Sequence, residues 1–242
     1  MHSVNSPPPP DDITTPSSRR HDPEQTRADI LEVATEEFSS FGLAGARVDA
    51  IAARTRTTKR MIYYYFGSKE TLYREVLDKA YQGIRLFEEA MISSTQPALQ
   101  AMQTMVELTF DYHDEHPSFV RLVAMENLQR GHQIERATTM PTRNSTVIRM
   151  LKGILASGVE NGYFRDGIDP VDLHMLISSF CFHRISNRYT FGTLFGRDPL
   201  SPRYRQTQRE MLVDAVMRYV CEPSQIDEIW PARPAKLGTT AP

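Results

Sequence analysis

The stretch AGARVDAIAARTRTTKRMIYYYFGSK, Ala44 through Lys69, decides the reading of this chain. It carries Arg47, Arg54, Arg56, Lys59, Arg60 and Lys69 against the single acid Asp49, a net of +5 inside a chain whose formal charge is −2. Val48, Ile51 and Ala52 mark one short helix; Ile62, Tyr65 and Phe66 mark another just after it. Thr57 or Thr58 is placed to cap the second helix, and Gly67 to end it. With Ile62 and Phe66 inward, the ~100° step per residue turns Lys59, Arg60, Tyr63 and Tyr64 outward. Such a pair is what a helix-turn-helix requires. The major groove, roughly 12 Å wide, admits one helix, and donors on its outer face reach base edges and phosphates.

Working outward, helical periodicity continues in both directions. Ile30, Leu31, Ala34, Phe38 and Phe41 predict a first helix from about Glu24 to Ser40, with Gly42 placed to stop it. After Gly67, Ser68 can cap a long fourth helix striped by Leu72, Val76, Ala80, Ile84, Phe87 and Met91. Pro97 opens a fifth, with Leu99, Met102, Val106, Phe110 and His113 on one face, and Pro117 opens a sixth that reaches about Arg130. Beyond Pro141 comes a seventh with Val147, Leu151, Ile154, Leu155 and Val159. Asp169, Pro170 and Asp172 start an eighth, and Met211, Leu212, Ala215, Val216 and Tyr219 stripe a ninth. The expectation is all-α with about nine helices.

The ends differ in composition from this middle. Residues 1–23 are crowded with proline (Pro7, Pro8, Pro9, Pro10, Pro16, Pro23) and polar residues, the composition of a disordered arm. Residues 222–242 read as a tail, anchored at Ile229 and Trp230. The division expected is an arm at 1–23, a helix-turn-helix domain at 24–68, a larger helical domain at 69–221 and the tail.

Composition excludes several classes. In 242 residues, 40% are hydrophobic and 24% charged, as in ordinary folded proteins. No run approaches the roughly 18 apolar residues of a membrane span, and no signal peptide opens the chain, so a cytoplasmic protein without membrane contact is expected. Cys181 and Cys221 are too few for a disulfide framework. His113, Asp114, Glu115 and His116 crowd together, but successive helical residues point about 100° apart, and only His113 and His116 share a face. Neither a nucleophile elbow nor a phosphate loop nor a catalytic carboxylate pair appears. The reading therefore assigns no metal, no cofactor and no catalysis.

The string Val48-Asp49-Ala50-Ile51-Ala52-Ala53-Arg54, followed by Thr58-Lys59-Arg60-Met61-Ile62-Tyr63-Tyr64-Tyr65-Phe66-Gly67-Ser68-Lys69-Glu70-Thr71-Leu72-Tyr73, resembles the DNA-binding signature of the TetR family of transcriptional regulators. The likeness runs from about Ile30 to Tyr73. It implies a repressor released from a palindromic operator by a small molecule, with a ligand-independent repressor as the alternative and a helical metal-dependent enzyme as a distant one. Arg47, Tyr63, Tyr64 and Lys69 would clamp phosphates, and Thr58, Lys59 and Arg60, beside Thr57, would reach base edges. Arg56 stands where the family usually has glycine; a phosphate that holds it would explain the substitution. A dimer clamping about eight phosphates should show a log-log salt slope near −7.

The resemblance also implies a homodimer, built from the last two helices, that sets two reading heads roughly 34 to 36 Å apart. The middle helices would enclose an effector, with Met102, Met105, Phe110, Met125, Met150, Phe180 and Phe191 as adaptable apolar walls. The segments Met125–Ile134 and Phe182–Phe191 are rich in hydrogen-bonding groups and similar to segments of family members that regulate pyrimidine or nicotinate-type catabolism. A polar heterocycle held by Asn127, Gln129, Arg130, His132, His183 and Asn187 is the expectation.

Overall fold

The computed structural model describes residues 22–90, 96–136, 146–224 and 226–231. Met91, Pro141 and the arm up to residue 21 lie outside them, as does the tail beyond Pro231. The described chain forms α1 (Pro23–Gly45), α2 (Val48–Arg54), α3 (Lys59–Phe66), α4 (Lys69–Ala90), α5 (Ala98–Glu115), α6 (Pro117–Leu128), α7 (Thr146–Glu160), α8 (Pro170–Ser186), α9 (Arg188–Phe195), α10 (Pro202–Val220) and α11 (Ile226–Ile229). A single 3-10 turn, Ile134–Arg136, follows α6. The class is all-α, but the helices number eleven where about nine were expected. Those missed are the short ones, α9 and α11.

The ends of α1 also differ from expectation. Asp22 caps it by accepting from the amides of Glu24 and Gln25, and Pro23 occupies the first turn, so the helix starts one residue inside the expected arm. Gly42 breaks the helical dihedrals at φ 64°, ψ 177°, yet the chain makes one more turn to Gly45. Only glycine adopts that backbone without strain. A Cβ there would also lie 3.5 Å from Met125 Sδ on α6.

Two apolar cores result. The first gathers Ile30, Ala34 and Phe38 of α1, Ile51 of α2, Ile62 and Phe66 of α3, Leu72, Val76 and Leu77 of α4, and Leu122 of α6. Phe38 meets Tyr73 edge-on at 5.0 Å. The second gathers Met102, Val106 and Phe110 of α5, Leu151 and Leu155 of α7, Leu173, Ile177 and Cys181 of α8, and Leu212, Val216 and Val220 of α10. Because α4 begins in the first core and runs on past it to pack on α6 and α7, it joins the reading helices to the larger body.

Polar ties fix the joints. Glu126, 1% exposed, accepts from the amides of Gln133 (2.6 Å) and Ile134 (3.2 Å) and from the Tyr73 hydroxyl (3.2 Å), binding α4 to the segment after α6. Burial, then Glu126, pushes the Tyr73 phenol up. In the second core Arg184, 3% exposed, donates to Gln208 Oε1 (2.7 Å), Asp114 Oδ1 (3.1 Å) and Pro199 O (3.3 Å), and stacks 4.1 Å above the Phe110 ring. Arg205 and Arg209 extend the network to Asp111, Asp114 and Glu107. The tail anchor is visible too: Trp230 donates from Nε1 to Asp214 (3.0 Å), and Ile226 and Ile229 pack on the second core.

Candidate nucleic-acid interface

The reading head is held from behind. Thr58 caps α3 by accepting from the Met61 amide at 3.2 Å, which settles the choice between Thr57 and Thr58. Gly67, at φ 75°, ends the helix. Arg47 caps α2 without using its side chain; its amide donates instead to Glu37 Oε1 at 2.9 Å. Glu37, 7% exposed, sets a carboxylate near the positive end of α2. Sequence reasoning passed over Glu37, although its place three residues after Ala34, on the apolar face of α1, was a signal that it turns inward.

On the outer face the expected residues are solvent-directed. Lys59 and Arg60 are exposed, Tyr63 is 39% and Tyr64 78% exposed, while Ile62 and Phe66 are at 1% and 3%. Tyr64 meets the Tyr65 ring edge-on at 5.6 Å, and its exposed hydroxyl can meet a phosphate oxygen.

The cations divide into two groups. Arg54 pairs with Glu36, Lys59 lies 3.2 Å from Asp49, and Lys69 donates to the Ala44 carbonyl at 3.3 Å. Arg47, Arg56 and Arg60 are exposed and make no side-chain hydrogen bond or ion pair among the described residues. Three uncommitted guanidinium groups on one short stretch are donors in search of acceptors.

Arg56 sits at φ 53°, in the left-handed region where the family usually has glycine. For a side-chain-bearing residue that costs about 1 kcal/mol. Arg56→Gly should therefore leave the fold as stable or up to about 1 kcal/mol more stable, yet flatten the log-log salt slope of DNA binding by about 1 per head. Titrations at four salt concentrations test this; an unchanged slope rules out a phosphate contact at Arg56.

Asp49 is the one acid of the reading surface, and its partner Lys59 opens α3. A carboxylate facing phosphates repels them, so Asp49→Asn should raise affinity for all duplexes, by about 1 kcal/mol or roughly fivefold. It also frees Lys59 from a fixed pose, so the gap between operator and random duplex should narrow. Competition binding against random duplex measures both effects.

The residues expected to hold an effector fall in four places. Met102 and Phe110 are fully buried in the second core, with Met150 and Phe180 packed against it. Met125, Gln129, Arg130 and His132 come together along a groove of about 630 Å³ between the last turns of α1, the start of α4 and the end of α6. Arg130 is left-handed there, at φ 59°. Asn127 lies outside that groove, exposed, its amide donating to Val123 O at 3.0 Å. His183, Asn187 and Phe191 cluster at the α8–α9 junction, with Asn187 Nδ2 3.1 Å from His183 Nδ1. Among the described residues these twelve do not share one groove. The histidine and acid cluster before Pro117 is likewise dispersed. His113 and His116 each bond the carbonyl one turn back, Asp114 binds arginines, and among the described residues no three potential ligands converge on a metal position.

An all-helical chain whose cationic three-helix head rests on a larger helical body belongs to the class of helix-turn-helix regulators. Residues 30–76 match the family described as bacterial regulatory proteins, tetR family, and residues 99–216 match the tetracyclin repressor-like C-terminal domain. The chain is 30% identical over 200 residues to the HTH-type transcriptional repressor NicS of Pseudomonas putida, covering 83% of this chain and 94% of that protein. It is 30% identical over 169 residues to the HTH-type transcriptional regulator RutR of Escherichia coli, covering 68% and 76%. In fold it resembles the structure of the ketosteroid transcriptional regulator KstR2 of Mycobacterium tuberculosis, with a TM-score of 0.62, 23% identity, and coverage of 81% and 95%. The chain belongs to the TetR family. It is a DNA-binding transcriptional repressor and not an enzyme. Among its described residues no helix is long and apolar enough to cross a membrane.

Proposed function

We propose that this repressor grips a palindromic operator as a homodimer and is released when a small polar heterocycle binds its helical body. The observation that carries the DNA half is the set of three uncommitted arginines, Arg47, Arg56 and Arg60, flanking exposed Tyr63 and Tyr64 on a capped helix. In this reading residues 24–68 are the reading domain, with Arg47, Arg56, Tyr63, Tyr64 and Lys69 on phosphates and Thr57, Thr58, Lys59 and Arg60 toward bases. Residues 69–221 form the sensing and pairing domain.

Pairing through α8 and α10 is supported by their bare apolar residues: Met175 is 63% exposed, Val171 55%, Met211 52%, and Leu176 and Tyr219 43%. An apolar surface of that kind, left bare on a folded chain, marks an association face. The heterocycle is supported by the hydrogen-bonding segments 125–134 and 182–191 and by the likeness to NicS and RutR.

The experiment is selection of duplexes from a random pool by the purified protein, followed by salt titration of the winner. The reading requires an inverted repeat with half-sites one helical turn apart and a slope near −7. A protein that enriches no sequence, or one half-site only, refutes it.

A further inference from the structure

Among the described residues two other than glycine stand at positive φ, and both are arginines: Arg56 at 53° in the turn of the reading head, and Arg130 at 59° just past α6. The local bonds explain why the backbone turns left-handed at Arg130. Gly131 N donates to Glu126 O at 2.9 Å and Arg130 N to Asn127 O at 3.0 Å, the two bonds of a helix-closing cap whose left-handed residue is Arg130. That position usually holds glycine, and a side-chain-bearing residue there costs about 1 kcal/mol. Glycine follows one residue late, as Gly131. The arginine returns nothing to the fold: it is exposed and makes no side-chain hydrogen bond or ion pair among the described residues. Strain kept at an exposed, uncommitted group calls for a role outside the fold.

Arg130 borders the groove that Ala44 and Lys69 also line, and Lys69 donates to the Ala44 carbonyl at 3.3 Å, three residues before Arg47. The turn is pinned to the same stretch of α4. Glu126 accepts from the Tyr73 hydroxyl and from the amides of Gln133 and Ile134, and Arg74 Nη1 donates to Gln133 Oε1 at 3.4 Å. The turn that carries Arg130 is therefore fixed relative to Lys69.

We infer that Arg130 is a DNA contact made by the helical body, its guanidinium gripping a backbone phosphate next to the one at Lys69. The inference rests on the phosphate roles of Arg47 and Lys69 proposed above. A guanidinium suits that partner because its N–H groups fork toward two oxygens. Inside the groove Glu70 and Glu135 offset Lys69 and Arg130, so a lone small anion gains little there. A duplex already held at Lys69 and Arg47 brings its next phosphate to Arg130 without a second cost of association. A phosphate carries no base information, so the contact adds affinity and register but no choice of sequence. Arg130 then serves DNA and not an effector, and DNA ties the end of α6 to the reading head.

The test uses the full chain with the duplex selected from the random pool and with random duplex, at four salt concentrations. Wild type, Arg130→Gly, Arg130→Lys and Arg47→Ala are compared. Arg130→Gly relieves the left-handed strain and should melt no lower than wild type. It should bind both duplexes roughly tenfold more weakly at about 0.1 M salt and flatten the log-log slope by about 1 per reading head. Arg130→Lys keeps the charge and should recover most of the slope. Ethylation of single phosphates reads the contact directly, since wild type should be hindered at one more phosphate per half-site than Arg130→Gly. The inference is overturned if the slope and ethylation pattern of Arg130→Gly match wild type, if only the selected duplex is bound more weakly, or if that variant melts below wild type. Arg47→Ala separates this inference from the reading beneath it. If that variant flattens the slope and Arg130→Gly does not, only Arg130 is reassigned; if neither does, the phosphate edge of the reading head falls as well.

Discussion

Arg60→Ala leaves the melting temperature within about a degree of wild type and removes most sequence-specific DNA binding. The side chain is exposed and bonds to nothing in the described structure, so its loss takes no folded-state interaction away. On DNA it stands second in α3, where a guanidinium can meet guanine O6 and N7 together. One such contact discriminates by about 1 to 3 kcal/mol. A symmetric dimer makes it in both half-sites, and separate positions add, so the loss is roughly 2 to 6 kcal/mol. Affinity for random duplex should fall far less, since only a charge is gone. Arg60→Lys should restore the charge and the random-duplex affinity but not the discrimination, because an ammonium cannot form the paired bond. Equal losses on operator and random duplex would reassign Arg60 to the phosphates.

Asp114→Ala has the largest expected effect on stability. Its carboxylate satisfies buried Arg184 through Oδ1 and Arg205 through Oδ2 at 2.7 Å. Removing one partner of a buried pair costs about 3 to 5 kcal/mol, most of it from the charge left behind. Asp114 is itself 17% exposed, so the low end, about 3 kcal/mol, applies. Urea unfolding should shift its midpoint down by roughly 1 M or more. Adding Arg184→Met, which removes the stranded charge and keeps an apolar stem over Phe110, should recover a large part of that loss. If the double variant is no better than the single one, the damage lies in the lost tie to Arg205.

The head was legible because its signals are local and redundant. Thr58, Gly67 and the Ile62–Phe66 pair each fix one end or face of α3, and each does so in the structure. The short helices were not. α9 has only eight residues, Gly192 among them, with Tyr189, Leu194 and Phe195 left outside, so no inward stripe marks it. α11 is one turn. Polar residues were the hardest to read, for periodicity treats them as surface: Glu37, Glu126 and Arg184 are all buried, each because distant chain supplies the partners. Hydrogen-bonding richness along the chain marked groups of polar side chains, but not how far apart the fold sets them: Gln129, Arg130 and His132 lie along one groove, His183 and Asn187 at the α8–α9 junction.

The Glu126 clasp bears on how freely α4 can turn. Its carboxyl oxygens are satisfied from two sides, by amides that follow α6 and by a hydroxyl on α4. Turning α4 takes the Tyr73 hydroxyl from a carboxylate that is 1% exposed, a loss of about 1 to 3 kcal/mol. The clasp therefore acts as a brake on α4, and whatever turns that helix must first overcome it.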